Sequence, residues 1–257
     1  MPYRFYDGEV CTLGRRLGSG GEAIVYEVHD RPRLAAKVYH RWDIERQRKL
    51  QAMLGTVPHD PTLSRGHTSI AWPQAPVFDD SGLKWVGFLM PKLPSSQKPL
   101  GAITHPATRR QVAAGFDWRH LMNTGANLAQ AVTAIHEAKC VVGDLNESNV
   151  LVANSTLVTL VDCDSMQVPN ANGGCFRCTV GKVEFTPPEL AGETFSLADK
   201  TVSTDNFALA VAAFQLVRLG AHPYQGRPSG SAETLSPSDF IRKGETVCGP
   251  SDDMSSV

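Results

Sequence analysis

A proline- and serine-rich stretch, PKLPSSQKPLG at residues 91–101, divides the chain into two parts of different character. Before it, many apolar residues alternate with polar ones around short glycine-containing turns, as in β-hairpins. After it, apolar residues recur at helical spacing in two long segments. Proline and serine without periodicity are typical of connecting segments. The sequence therefore predicts an α+β chain with a β-rich N-terminal lobe, residues 1–95, and a mainly α-helical C-terminal lobe, residues 96–257.

Hairpins are predicted where LGRRLGSG is followed by AIVYEVHD, and where APVF and LKWVGFLM flank an Asp-Asp-Ser-Gly turn. LAAKVYH reads as a further strand between these hairpins. Apolar spacing predicts helices over residues 41–55, 117–140, 203–220 and 238–244. The third of these is apolar nearly all round, which indicates a buried helix.

The composition bounds the functional classes. A chain of 257 residues that is 42% hydrophobic can bury a sizeable core. Its net charge of −1 argues against a nucleic-acid or anionic-membrane surface. The N-terminus lacks the apolar segment of a signal peptide, and the longest apolar run, FALAVAAF, is far shorter than the roughly 18 residues that a membrane span needs. We expect a soluble, cytoplasmic protein.

The cysteines lack the spacing of a disulfide framework, so we expect reduced thiols. They are Cys11, Cys140, Cys163, Cys175, Cys178 and Cys248. Cys175 and Cys178 form a C-x-x-C, which admits a metal or redox interpretation beside that of a plain loop. A zinc site would need two more ligands at compatible spacing, and the sequence offers no second pair, so the plain loop is favoured.

The stretch VVGDLNESNVLV places Asp144, Asn146 and Asn149 between two runs of apolar residues. Such a polar loop is either a well-bonded turn or a ligand site, because buried polar groups are costly unless they are satisfied. Asp162 follows the apolar strand TLVTLV in a second turn. Each residue alone is commonly a turn former, but together they predict an oxygen-rich pocket suited to Mg²⁺.

Two features of the N-terminal part have alternative interpretations. The glycines of LGSGGEAIVYEV allow the backbone to turn closely over a phosphate, although a glycine hairpin alone is weak evidence. Lys37, in AAKVY, lies either on the inner face of its strand, where it needs a partner, or on an edge strand that faces water.

In this order and at these separations the stretches resemble the protein-kinase family, over nearly the whole chain. GSGGEAIV is similar to the glycine-rich loop, with Ala23 in place of the third glycine, and AAKV to the strand-lysine motif. GDLNESNVLV is similar to the catalytic loop, VDCD to the metal-binding motif and PPE to the end of the activation segment. DNFALA is similar to the helix at the base of the lobe. FTPPEL, VDCDS and the hinge-like GFLMPK most resemble a bacterial branch of Ser/Thr kinase-like proteins.

The resemblance implies a single bilobal kinase domain over residues 10–245. Little chain remains for the end of the C-terminal lobe, so either that lobe is shortened or the sequence is trimmed. It implies Mg-ATP-dependent phosphoryl transfer to Ser/Thr hydroxyls of protein substrates, with Mn²⁺ as a substitute for Mg²⁺. A cognate metal-dependent protein phosphatase is an implied partner. The resemblance does not imply nucleic acid or a membrane as a partner. The implied catalytic residues are Asp144, which accepts the hydroxyl proton, Lys37 and Asn146. The implied metal ligands are Asn149 and Asp162. The implied cofactor-binding residues are Gly18, Ser19, Gly20, Gly21, Val25, Ala35, Lys37, Glu45, Met90, Leu151 and Asp162, with Glu45 as the helix partner of Lys37.

Further departures from the family pattern lie in the catalytic loop and the metal-binding motif, beginning with Val142, which stands where most kinases have a histidine. Gly143 stands where most kinases have an arginine, which makes this a non-RD type, and Asn146 stands where Ser/Thr kinases usually have a lysine. Asp164 replaces the glycine of the metal-binding motif. The last three departures motivate an alternative, a nucleotide-binding pseudokinase that regulates a partner. A small-molecule phosphotransferase is a third hypothesis, but the long activation segment from Asp162 to Glu189 argues against it.

Overall fold

The first strands of the chain pair into one antiparallel sheet. The computed structural model describes residues 3–228, 236–244, 246 and 254–255. The seven strands have the spatial order β2-β1-β6-β7-β5-β4-β3. They are β1 (Tyr3–Arg4), β2 (Val10–Cys11), β3 (Leu13–Ser19), β4 (Ala23–Val28), β5 (Leu34–Tyr39), β6 (Ala75–Phe78) and β7 (Trp85–Pro91). Both predicted hairpins are present, as β3–β4 and β6–β7.

One helix, α1 (Ile44–Gly55), accompanies this sheet. The helix begins three residues later than predicted because Asp43 is extended and its side chain caps the first turn, accepting from the Arg46 N–H at 2.7 Å. Leu50 and Met53 are its buried residues and contribute to the core.

The rest of the chain is mainly helical. Its helices are α2 (Leu100–Thr104), α3 (Pro106–Val112), α4 (Trp118–Glu137), α5 (Val202–Val217) and α6 (Pro237–Lys243). Short strands form three small sheets: β8 (Lys98–Pro99), β9 (Val150–Val152), β10 (Val158–Leu160), β11 (Val168–Pro169), β12 (Cys175–Phe176), β13 (Arg227–Pro228) and β14 (Met254–Ser255). Single-turn 3₁₀ helices lie at Leu63–Arg65, Cys163–Ser165, Val183–Phe185 and Pro188–Leu190.

The α+β class and the division into a β-rich and a helical part are confirmed. The four predicted helices are present as α1, α4, α5 and α6. The expected linker at residues 91–101 is more ordered than predicted, since β8 pairs with β9 and α2 begins at Leu100. The expected domain end near residue 245 lies outside the described residues.

The core joins the two parts. Neighbouring residues on β7 face opposite sides of the sheet, as the pleat requires. Phe88 packs into a large cluster that also contains Met53 and Leu128 from helices α1 and α4. Leu89 packs into a smaller cluster on the other side of the sheet. Each such buried side chain contributes about 1.5–3 kcal/mol of transfer free energy, and the shared cluster holds the sheet against the helices.

Candidate active site

A cleft of about 740 Å³ lies where the sheet meets the helical part. The β3–β4 hairpin contributes Gly18, Ser19, Gly20, Gly21 and Val25 to its lining. Lys37, Glu45, Asp144 and Asp162 also line this cleft, so the structure brings together most of the residues that the sequence singled out. Ala35 and Met90 lie opposite each other on β5 and β7, and Leu151 lies on β9. These three do not line the described cavity.

Lys37 is at the centre of β5, opposite Val25 on one side and Phe88 on the other. Its side chain is only 12% exposed and its ammonium donates to two carboxylates, those of Asp162 and Asp164. Burial alone would lower the pKa of Lys37, but the two negative charges outweigh it and the pKa is raised. The lysine therefore stays cationic on the inner face of the strand, and the interpretation as a water-facing edge residue is wrong.

The structure differs from the expected pair of Lys37 with Glu45. Glu45 is in the first turn of α1 and its side chain is exposed. Within the described residues, Lys37 forms ion pairs with Asp162 and Asp164 and not with Glu45. The physical reason is the late start of α1: capping by Asp43 places Glu45 at the N-terminal end of the helix, where a carboxylate favours the helix dipole.

The polar loop that contains Asp144 is bonded within itself. The Asn146 amide donates to Asp144 Oδ1 at 2.8 Å, and the Asn149 amide donates to Asp144 Oδ2 at 2.9 Å. Asn146 Oδ1 also accepts from the Ser148 N–H at 2.9 Å. Burial raises the pKa of Asp144, while these amides and the charge of Lys200 oppose the rise. The polar side chains of the loop are thus hydrogen-bonded within it, and these bonds fix the orientation of the Asp144 carboxylate.

Asp205, in the first turn of α5, binds the backbone at the start of this loop. Its two oxygens accept from the backbone N–H groups of Val142 and Gly143, each at 2.7 Å. Oδ2 also lies 2.8 Å from His136 Nε2 on α4. A buried carboxylate that accepts several hydrogen bonds is well satisfied. The sequence signal for this role was the DNFALA segment, although only the structure shows which residue acts and on which atoms.

Lys200 is a second residue that the sequence did not reveal. It is 2% exposed, and its ammonium donates to the carbonyl oxygens of Gly143, at 2.8 Å, and of Val180. It also lies 4.3 Å from the ring centroid of Phe195, a favourable cation–π distance. Lysine in the polar stretch ADKT predicts a surface residue, so no local pattern could have indicated its burial.

Gly143 leaves no room for a side chain. Its φ is +72°, and a Cβ atom there would lie 2.7 Å from Cys178 Cβ and 3.1 Å from Lys200 Cδ. The space that an arginine at this position would need is therefore filled by Cys178 and Lys200.

The C-x-x-C cysteines have separate environments. Cys175 Sγ lies 3.5 Å from an Asp199 oxygen, whereas Cys178 is buried and donates to the Val180 carbonyl at 3.3 Å. Burial raises the pKa of both thiols, which disfavours the reactive thiolate. Cys248 lies outside the described residues.

The chemistry of the site suits a nucleotide with a hard cation. Asp162 is 49% exposed and offers a carboxylate oxygen as a ligand. The Asn149 NH₂ donates to Asp144, so its amide oxygen can serve as a second ligand. Within the described ranges no group of three His, Cys, Asp or Glu residues could hold a metal. Mg²⁺ is commonly held by one or two protein oxygens with phosphates and water, and these residues fit that pattern.

Comparisons with known proteins agree with this geometry. The family model for protein tyrosine and serine/threonine kinases matches residues 87–248. Over 223 residues the chain is 40% identical to the protein kinase YegI of Escherichia coli strain K12, and equally to that of strain O157:H7. These matches cover 86% of this chain and 33% of each relative, so the chain spans about a third of their length.

Among solved structures, the chain is similar to the ROP18 kinase domain in complex with AMP-PNP and sucrose. The TM-score is 0.58 at 19% identity, over 86% of this chain and 68% of the other. This likeness shows the fold, and the predicted bilobal kinase-like architecture is confirmed.

Proposed function

Because the chain belongs to the protein tyrosine and serine/threonine kinase family, we propose that it transfers phosphoryl groups from Mg-ATP to Ser/Thr hydroxyls of proteins. The observation that carries this proposal is the convergence of Lys37, Asp144 and Asp162 on one cleft beneath the glycine hairpin. Phosphoryl transfer depends mainly on positioning and charge neutralisation, and this cleft supplies both.

The glycine hairpin, Lys37, Asp144, Asn149 and Asp162 each have a role in this proposal. The hairpin around Gly20 covers the phosphates with backbone N–H groups, and the Lys37 ammonium binds their oxygens. Asp162 and Asn149 hold the metal, which neutralises charge on the phosphates when it is bound. Asp144 orients the substrate hydroxyl and accepts its proton. Its raised pKa brings the carboxyl closer to the working pH of a general base.

A protein substrate is favoured over a small molecule by the segment from Asp162 to Glu189. Lys182 joins this segment to the catalytic loop, because its ammonium lies 2.7 Å from Glu147 Oε1 and 2.9 Å from Ser148 Oγ. A segment fixed beside the catalytic aspartate offers a platform on which an extended peptide can lie, and a small molecule needs no such platform.

The second candidate is a nucleotide-binding pseudokinase. Asn146 carries no charge where a cation would stabilise the transferred phosphate, and such a loss costs a few kcal/mol of transition-state stabilisation. Lys200 does not replace that cation, since its ammonium donates to the backbone carbonyls of Gly143 and Val180. The missing cation favours slow turnover. The pseudokinase hypothesis is therefore tested by the same transfer assay, described below.

The wider assignments are proposals too. We propose lobes at residues 1–95 and 96–257 within one domain over residues 10–245, a protein substrate, a cognate metal-dependent phosphatase and a cytoplasmic location. Among the described helices, none combines the length and apolarity of a membrane span.

The experiment is transfer of labelled γ-phosphate from ATP to casein in the presence of Mg²⁺ or Mn²⁺, followed by phosphoamino-acid analysis. We expect phosphoserine or phosphothreonine from the wild type and at least about 100-fold less from Asp144→Asn. ATP binding without transfer in the wild type would favour the pseudokinase. Label on tyrosine would overturn the Ser/Thr assignment.

A further inference from the structure

The two aspartates of the VDCD stretch bind the same ammonium from different environments. Both line the cleft, but the side chain of Asp162 is 49% exposed, whereas that of Asp164 is 9% exposed. Both accept from Lys37, with 2.6 Å to Asp164 Oδ1. An exposed carboxylate is available to a metal, and a buried one is available mainly to its protein partners.

Asp164 is fully engaged with β5. While Oδ1 accepts from Lys37, Oδ2 accepts from the Tyr39 hydroxyl at 2.7 Å. Residues two apart on a strand share a face, so one carboxylate bridges two neighbouring side chains on the inner face. Burial would raise the pKa of Asp164, but the charge of Lys37 and the two hydrogen bonds lower it, and the carboxylate stays ionised.

Helix α1 contacts the turn that carries Asp164 through a cation, Lys49. The Lys49 ammonium donates to the carbonyl oxygens of Ser165, at 3.0 Å, and Arg177, at 3.3 Å. Burial lowers the pKa of Lys49, as expected for a buried ammonium that donates to neutral carbonyl oxygens. Through the Ser165 carbonyl, the helix is thus attached to the backbone of the residue that follows Asp164.

We propose that Asp164 is the positioning residue for Lys37 and takes the place that the sequence had assigned to Glu45. This proposal rests on the proposed function, in which Lys37 binds the ATP phosphates. When Asp162 turns to a metal, Lys37 retains Asp164 as its fixed partner. The position of the Lys37 ammonium is then set by Asp164, in the turn that follows Asp162. It does not depend on a carboxylate of α1.

The test compares Asp164→Asn with the matched control Glu45→Gln, each of which removes one negative charge at nearly constant shape. Mg-ATP affinity is measured by calorimetry, and KM for ATP, KM for casein and kcat by steady-state kinetics. For Asp164→Asn we expect about fivefold or greater loss of ATP affinity, a matching rise in KM for ATP and an unchanged KM for casein. Glu45→Gln, at a residue that lines the cleft but does not pair with Lys37, should lose clearly less ATP affinity than Asp164→Asn.

A purely structural defect would give a different result, since a smaller folded fraction lowers kcat and leaves both KM values alone. If Asp164→Asn does not fold, Tyr39→Phe serves instead, because it removes one of the two donors and keeps the ring; we expect about two- to fivefold weaker ATP binding.

Unchanged or tighter ATP binding in the folded Asp164 variant overturns the proposal, as does an equal loss in Glu45→Gln. A wild type that binds ATP but transfers nothing would overturn the proposed function alone, because the affinity comparison still holds.

Discussion

The Lys200 ammonium lies 2.8 Å from the carbonyl oxygen of Gly143, the residue directly before Asp144. The same ammonium donates to the carbonyl of Val180 in the activation segment. A buried lysine therefore joins the loop of Asp144, the proposed catalytic loop, to that segment through neutral acceptors. In kinases with an arginine at the Gly143 position, a phosphate on the segment relieves repulsion among clustered cations. Here that arginine is absent and the connection exists without a phosphate.

We accordingly expect activity that does not depend on activation-segment phosphorylation. Thr179 is exposed and can accept a phosphate, whereas Thr186 is buried and donates to the Lys182 carbonyl at 2.9 Å. The measurement is kcat of phosphatase-treated protein and of Thr179→Ala, with mass spectrometry to establish the unphosphorylated state. Loss of about tenfold or more in both, equivalent to about 1.4 kcal/mol in the barrier, would refute this prediction.

Lys200→Met should reduce both stability and turnover. Two carbonyl oxygens lose a charged donor inside the protein, and each unsatisfied group costs about 1–3 kcal/mol. The free energy of unfolding from urea denaturation and kcat are measured beside Lys243→Met, which removes an exposed lysine at the end of α6. If Lys200→Met is as stable and as active as this control, the hydrogen bonds from Lys200 to Gly143 and Val180 have no structural role.

Gly143→Ala should destabilise the fold more than Gly173→Ala. Both glycines have positive φ, +72° and +81°, so both substitutions add backbone strain of about 1–2 kcal/mol. Only at Gly143 would the new Cβ meet another atom, Cys178 Cβ at 2.7 Å, and overpacking adds about 1–3 kcal/mol. Urea denaturation of the two variants measures the difference, and equal losses would mean that Cys178 moves aside freely.

Much of this architecture follows from local patterns. The hairpins, α4 and the apolar α5 were predictable because each depends on periodicity within a few turns. The convergence of Lys37, Asp144 and Asp162 followed only from the resemblance to kinases, since no local pattern measures separation in space. The start of α1 was misjudged because a single cap, Asp43, decides it.

Long-range side-chain partners were beyond prediction. Asp164 meets Lys37 across 127 positions, and Lys200 meets Gly143 across 57. Spacing in the sequence carries no information about which of several nearby carboxylates approaches an ammonium. Asp164 was therefore interpreted only as a departure from glycine, and Lys200 was not singled out at all.

Acid should destabilise the protein in part through His222. Burial lowers the pKa of this side chain below its ordinary value of 6.5, although the Glu184 carbonyl and the charges of Glu184 and Glu147 oppose the shift. Nε2 lies 2.9 Å from the Glu184 carbonyl, and Nδ1 accepts from the Tyr224 N–H at 3.1 Å. Because the unfolded chain then binds the proton more readily, the free energy of unfolding falls as pH drops through 6.5.

The check is Tm as a function of pH for the wild type, His222→Gln and the control His59→Gln, an exposed histidine. His222→Gln should show a smaller drop in Tm below pH 6.5 than the other two proteins. An identical pH dependence in all three would show that His222 does not contribute.

The most direct test of phosphoryl transfer at this cleft is to measure Mg-ATP affinity and kcat together in Asp144→Asn and Asp162→Asn. In the proposed mechanism Asp144 acts on the substrate hydroxyl, so its variant should lose about 10²–10⁴-fold in kcat and keep its ATP affinity. The proposal assigns Asp162 to the metal and nucleotide, so its variant should lose about tenfold or more in Mg-ATP affinity itself. Equal loss of ATP binding in both variants, or full turnover in Asp144→Asn, would contradict the division of labour proposed for this cleft.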